Sequence, residues 1–409
     1  MAHTDALVDD RTLISQTGWA YWPIAFIARL PFAMMTVGVL MLVVSATGSV
    51  GLGGLTSAAV GVGVVVAGPI IGDLVDRLGQ RRVLVPVGLV NAALLAVFPL
   101  FAVGGGPEAL LLTAAFAIGV TAPQASAMSR SRLLGMIATR LPQTTRARTT
   151  SRVMSYESAA DETAFVIGPF LVGILAALIA PWAPIAIAAV LSFAFVTAFA
   201  LHPTARVVVA GGEGERAAFR AVLSREVLVL VAATFAIGAF FGGTLTSLTA
   251  FAQALGDEAQ AGLLYGLMGI GSAVLALGVA LLPTRFALRR RWIVFALVLM
   301  LGAVGYATAT GFAGVSVWLV LMGLGVGPTL VTLFSLAGAR APRGRAATTM
   351  TLLGSALTLA QALASAVTGW LAEQVSLGAA MALPAVAAAV VVALGVVNLV
   401  GERRAVAHA

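Results

Sequence analysis

The chain has 409 residues, 60% of them hydrophobic and only 10% charged, and its mean hydropathy is +1.04. A water-soluble domain carries about 25% charged residues, so a cytosolic enzyme, a secreted disulfide scaffold and a disordered chain are all excluded. Its 24 cations, all Arg, outweigh 16 acidic residues, and there is no Cys for a disulfide, a thiolate metal site or a catalytic thiol.

Crossing roughly 30 Å of hydrocarbon takes about 20 apolar residues at 1.5 Å per residue. Twelve windows of that kind succeed one another, at roughly 22–46, 52–72, 83–104, 108–128, 158–180, 183–201, 227–251, 261–284, 292–310, 313–337, 347–371 and 378–400. Backbone groups in lipid must be satisfied within their own segment, which predicts helices. The dyad alternation of a β-barrel is absent. The first segment is too long, and starts too late, for a cleaved signal peptide.

The Arg residues order these segments across the bilayer. With both termini inside, the inside connections hold Arg77, Arg81 and Arg82, then Arg130 to Arg152, Arg206 to Arg225, Arg285 to Arg291, and Arg340 to Arg345. Arg403 and Arg404 lie in the tail and Arg11 in the N-terminal segment. The outside connections carry only Glu108, Asp257, Glu258 and Glu373. Basic flanks stay cytoplasmic, so a multi-pass protein of the inner (plasma) membrane with cytoplasmic termini is expected. The basic loops are spread over six segments without an aromatic-interleaved patch, which argues against nucleic acid and for anionic headgroups, at about 1 kcal/mol per Arg near the surface.

A polar stretch from His202 to Glu226, containing Gly211-Gly212-Glu213-Gly214-Glu215-Arg216, divides six segments from six. The expected organisation is therefore a half at 1–201, a cytoplasmic linker at 202–226, a second half at 227–402 and a tail at 403–409. Arg81-Arg82-Val83-Leu84-Val85 lines up with Arg290-Arg291-Trp292-Ile293-Val294, and Gly119 to Pro123 with Gly323 to Pro328. A duplicated six-helix unit is a common build of secondary transporters, with the substrate near the midplane.

After the second segment the chain reads Gly72-Asp73-Leu74-Val75-Asp76-Arg77-Leu78-Gly79-Gln80-Arg81-Arg82. This resembles the G-x-x-x-D-R-x-G-R-R signature of the major facilitator superfamily, in the loop between helices two and three. It departs at Gln80, where Arg or Lys is common, and the second-half copy, Leu281 to Arg291, has lost its glycines and Asp. Unaided by the resemblance, Gly72 permits close packing, Gly79 suits a positive-φ turn, and Asp76 can accept hydrogen bonds at a helix N-terminus. The resemblance implies that this N-terminus belongs to helix eleven, near Arg345 to Thr348, and that the contact holds the cytoplasmic side shut. A turn that only sets topology is the plainer reading.

Ionisable groups inside a membrane are costly and point to function. Arg29 lies about 10 Å along the first segment, and Asp161 and Glu162 lie at similar depth in the fifth. Glu157 shares a face with Asp161 at i,i+4. The resemblance implies that helices one and five touch, which allows a pair of Arg29 with Asp161 or Glu162. Such a cluster can be a proton-linked switch, a static ion pair, or a snorkelling Arg29. Gly168-Pro169-Phe170-Leu171-Val172-Gly173 partly resembles the G-P-x-x-G-G element of drug-exporting antiporters. Phe116 stands where those antiporters usually carry Arg, three residues before Gly119.

The family's cavity is lined chiefly by helices one, four, seven and ten. Their middles offer Phe32, Met34, Met35, Ile118, Gln124, Phe240, Phe241, Trp318, Met322 and Gly325, with Asn91, Tyr265 and Gln361 as further polar candidates. Aromatics and Met form an adaptable apolar surface, suited to a hydrophobic or amphipathic substrate. The expectation is an all-α, monomeric transporter of two six-helix halves. It would exchange such compounds for protons by rocking, with the proton gradient as energy source and no cofactor. Metabolite uptake or exchange, lipid flipping and a membrane sensor stay open. His3, His202 and His408 lie outside the spans and there is no nucleotide-binding loop, so neither an enzyme nor an ATP-driven pump is expected.

Overall fold

The computed structural model describes residues 13–47, 50–206, 217–255, 259–283 and 285–407. His3, Arg11, linker residues 207–216, Asp257, Glu258 and His408 lie outside the described residues. Twelve helices are long and apolar enough to cross a membrane. They are α1 (Tyr21–Thr47), α2 (Leu52–Leu78), α3 (Gln80–Val103), α4 (Glu108–Arg140), α5 (Gln143–Ala176) and α6 (Ala183–Leu201), then α7 (Arg225–Ala254), α8 (Leu264–Leu281), α9 (Leu288–Ala307), α10 (Phe312–Arg340), α11 (Ala346–Gln374) and α12 (Leu377–Val400). Among the described residues there is no strand. The protein is an all-α polytopic membrane protein.

Three helices run at one end about a turn and a half or more beyond their apolar windows. The signature motif, expected as a loop, is helical up to Leu78, and Gly79 alone separates α2 from α3, at φ +88°. Asp73 and Arg77 pair at 2.7 Å across one helical turn, which supports the helix beyond its apolar stretch. The Arg- and Ser-rich stretch after α4's apolar half is also helical, and Ser129, Arg130, Ser131 and Arg132 are as buried there as Met128, Leu133, Met136 and Ile137. Averaged over a window, these residues look like a loop, yet Ser131 and Arg132 are hydrogen-bonded inside the fold to Gln80. The third is α5, which begins at Gln143 rather than near 158.

Three helices are also interrupted. The first breaks at Ala28 and Arg29. The fourth breaks between Val120 and Ala125, where Pro123 lacks a backbone donor. The sixth carries one π-helical turn at Ser192–Val196.

The chain forms two compact units. The first comprises Met1–Thr149, Ala164–Phe219 and Pro342–Ser355; the second comprises Thr150–Thr163, Arg220–Ala341 and Ala356–Ala409. In the first, Met34, Met35, Leu42, Leu95, Phe98, Ile118 and Ile185 build a buried core from α1, α3, α4 and α6. Glycine brings α2 and α4 together: a Cβ on Gly119 would stand 2.0 Å from the Val60 carbonyl, and one on Gly63 2.4 Å from that of Phe116. Leu55, Val62, Val66 and Ile70 leave an exposed apolar stripe along α2, the lipid-facing counterpart of that seam.

In the second unit, Gly323 and Gly327 of α10 press on the Met268 and Ser272 carbonyls of α8 at 2.4 and 2.3 Å from their absent Cβ atoms. Gly238 and Gly242 of α7 do the same against Leu357 and Gln361 of α11. These are small-xxx-small seams. Gly119 on α2 and Gly323 on α8 thus make the same kind of contact, each in its own unit.

Candidate functional site

In the first unit α11 starts against the signature motif. Arg345 precedes this helix and offers no side-chain acceptor, so the first amides of α11 have no cap from their own chain segment. Asp76 supplies it. Its Oδ1 accepts from the Ala347 amide at 3.1 Å, and its Oδ2 accepts from the Thr348 amide at 2.8 Å and the Thr348 hydroxyl at 2.6 Å. A carboxylate at the positive end of a helix is favourable, and hydrogen bonds to a charged group are worth about 1.5–3 kcal/mol each.

Gly72, one turn earlier on α2, makes room for this. A Cβ there would fall 2.3 Å from Thr351 Oγ1 and 2.8 Å from Thr348 Cα. Asp73 receives Arg345 as well as Arg77. The Arg77 side chain is about half exposed, and Arg81 is exposed at the start of α3.

One further turn along, Gly68 faces Ser355 of α11 and Gln124 at the break in α4. Its absent Cβ would lie 2.2 Å from Ser355 Oγ and 2.5 Å from Gln124 Nε2. Both atoms are buried without a hydrogen-bond partner. Gly68, Gly72 and Asp76, each four residues from the next, therefore form one seam on α2.

Gln80, the departure from the signature, is fully buried. Its amide donates to the Met128 carbonyl at 2.9 Å and to Ser131 at 3.0 Å. Its carbonyl oxygen accepts from Arg132 Nε at 2.8 Å and Nη2 at 2.6 Å. Arg132, also 0% exposed, donates further to the Phe199 carbonyl and Thr204 hydroxyl and stacks 3.9 Å from the Phe199 ring centre. A buried cation needs such a shell of acceptors, and a neutral Gln provides one without a second positive charge. Next to it, His202 Nδ1 lies 2.9 Å from the Thr204 hydroxyl. Burial, and then the Arg132 charge, hold this imidazole below its ordinary pKa.

Of the intramembrane charges, Arg29 sits at the break in α1, 4% exposed, its Nε donating to the Ala25 carbonyl at 3.2 Å. It belongs to the first unit. Glu157, fully buried, and Asp161, half-buried, belong to the second. The side chain of Glu162 lies outside the described residues. Gly168 packs on Ala33 of α1, 2.7 Å from its absent Cβ to Ala33 Cβ, and the helix runs through Pro169 without interruption.

Met35 is fully buried in the core of the first unit, and Phe32 sits at its edge, edge-to-face with Phe165 at 6.4 Å. Phe240 is fully buried beside the half-buried Phe241, at 5.7 Å. Met322 is buried against Gly302 and Trp318 lies over Gly305, while Gln361 is half-buried on α11. Sequence reasoning missed the Asp73–Arg345 and Gln80–Arg132 pairs, which join residues 272 and 52 apart. The signal for the first was the second carboxylate three residues before Asp76.

The model of the Major Facilitator Superfamily matches residues 21–365. The chain belongs to this superfamily. No curated protein matches it. Solved members of similar fold include the human organic anion transporter MFSD10 (TETRAN), at 17% identity over 92% of this chain and 97% of that one, TM-score 0.71. A bacterial homologue of the iron transporter ferroportin in an outward-facing state is 19% identical over 93% and 97%, TM-score 0.73. The E. coli fucose:proton symporter FucP is 15% identical over 92% and 98%, TM-score 0.63. These likenesses show a shared fold, and by its family the protein is a transporter that takes small-molecule substrates in a membrane. These solved structures are an organic anion transporter, a homologue of an iron transporter and a fucose:proton symporter, so the shared fold does not determine the substrate.

Proposed function

We propose that the protein is a secondary active transporter that exports small hydrophobic or amphipathic compounds in exchange for protons, by rocking-type alternating access. The Asp76 cap on α11 is the observation that carries this reading. Three hydrogen bonds join helices that are remote in sequence, and they can form or break as a set while both helices stay folded. That is what a two-position gate requires.

The gate lies beside the Arg-rich connections, so in this reading it closes the cytoplasmic side of the plasma membrane, with both termini cytoplasmic. Phe32, Phe241 and Trp318 support an apolar substrate. The partly matching Gly168–Gly173 element supports export. The working unit is one chain, its halves 1–201 and 227–402 joined by the linker 202–226. Arg29, Asp161 and Glu162 are the residues that couple transport to the proton gradient in this reading.

Everted vesicles acidified inside test the whole reading. They accumulate members of a broad dye and drug panel, and dissipating the gradient releases them. Absence of accumulation across the panel, at an intact gradient, overturns export in favour of uptake or lipid movement. In the same vesicles Arg29→Ala, Asp161→Asn and Glu162→Gln alter the pH dependence of transport. An unchanged profile in all three removes proton coupling from this cluster.

A further inference from the structure

The side chain that pairs with Asp73 is also tied to the chain segment leading into α7. Arg345 is 5% exposed, and its Nε donates to the Ala217 carbonyl at 2.8 Å. The Ala217 amide in turn donates to the Arg343 carbonyl at 3.2 Å. The Arg345 guanidinium lies 6.0 Å from the centre of the Phe219 ring. Between these partners Gly344 turns the chain at φ +68°. Ala217 therefore bonds residues on both sides of the turn that launches α11, and Arg345 uses one edge of its guanidinium for Asp73 and its Nε for Ala217.

We propose that Ala217–Phe219 is a positioning strap for the gate. It holds the Arg343–Arg345 turn and the Arg345 guanidinium in place, so that the first turn of α11 meets Asp73 and Asp76 together. The physical reason is the fixed fork of the guanidinium: its plane, once anchored at Nε, dictates where the remaining N–H groups point. A buried Nε–H without its acceptor would carry a desolvation cost, so losing Ala217 weakens the closed arrangement specifically. The connection between the six-helix halves thereby acts on gate opening through Arg345. This rests on the reading of the Asp76 contact as a gate.

The chain contains no Cys, so one introduced thiol reports alone. Ser355→Cys places it on α11 opposite Gly68, buried whenever α11 lies on α2. Labelling by a water-soluble maleimide is measured in the full-length protein, reconstituted, in four further backgrounds. Ala217→Pro removes the amide donated to Arg343. Arg345→Lys keeps a cation for Asp73 but loses the rigid Nε–H. Ala217→Gly keeps every bond of the strap. Asp76→Asn is the gate control.

The expected result is labelling at least about tenfold faster in Arg345→Lys, the shift that losing one charged hydrogen bond gives, and roughly two- to tenfold faster in Ala217→Pro, which loses a neutral one. Ala217→Gly stays at the parent rate, and the thermal midpoint is unchanged throughout. If Ala217→Pro does not fold, Arg345→Lys still reads the strap through its other bond, from Arg345 Nε to the Ala217 carbonyl. Parent rates in both strap variants, with Asp76→Asn fast, overturn the strap and leave the gate standing. Parent rates in Asp76→Asn as well overturn both.

Discussion

Asp76 and Thr348 are joined twice: Oδ2 of the carboxylate accepts the Thr348 amide at 2.8 Å and the Thr348 hydroxyl at 2.6 Å. A helix usually draws this cap from the residue just before it. Here it comes from a different helix, 272 residues away. A cap of that kind can be withdrawn without unwinding either partner.

Asp76→Asn keeps the shape but gives up the charge and, with one carbonyl oxygen, at least one of the three bonds. We expect normal folding and membrane abundance with the α2–α11 contact weakened by about 1.5–3 kcal/mol, and transport reduced accordingly. Transport at equal abundance is the measurement. Wild-type rates would remove Asp76 from the mechanism.

Gly72→Ala tests the same contact by bulk rather than charge. The added methyl would stand 2.3 Å from Thr351 Oγ1 and 2.8 Å from Thr348 Cα, the latter backbone that cannot swing aside. Gly61→Ala, on the same helix, meets nothing within 4 Å. The first substitution is expected to lower transport severely and the second to leave it intact, both expressed to the same level. Equal behaviour of the pair would show that α11 does not need to approach α2 so closely.

Gln80→Arg restores the residue common in the superfamily's signature, yet here it is expected to destabilise the protein. It removes the acceptor of two Arg132 N–H groups and sets a second cation against a buried one. Breaking a buried charged network of this kind costs about 3–5 kcal/mol. A drop in thermal midpoint that Arg132→Gln partly reverses in the double variant supports this arrangement. A midpoint equal to wild type would refute it.

His202 makes stability depend on pH. Its imidazole is held below the ordinary value of 6.5, by burial first and by Arg132 second, so the unfolded chain takes up the proton more readily than the folded one. This contribution is complete above about pH 6.5 and is lost as the pH falls from there towards the folded pKa. The thermal midpoint should decline over that window in the wild type and decline less in His202→Gln. Parallel curves would exclude the histidine as a source.

Much of this was legible in the residue order. Twelve apolar runs foretold twelve spans, because a lipid environment demands long, internally bonded helices. The signature motif pointed to the superfamily, and Gly79 adopts the left-handed turn its place suggested. Helix lengths were less legible. The extensions of α2, α4 and α5 are polar in sequence, and what holds them is contact made only in the folded chain, such as Asp76 with Thr348 and Arg132 with Gln80. Gln80 looked like a defect in a motif. Only its neighbour Arg132, brought in from α4, explains it.

By itself, then, the sequence determined the features that local chemistry dictates: membrane-spanning helices, their number and the family to which they belong. The tertiary structure alone decided which remote groups share a bond, such as Asp76 with α11, Gln80 with Arg132 and Arg345 with Ala217. The reason is that a hydrogen bond is read over about 3 Å of space, and the partners here stand 52 to 272 residues apart along the chain.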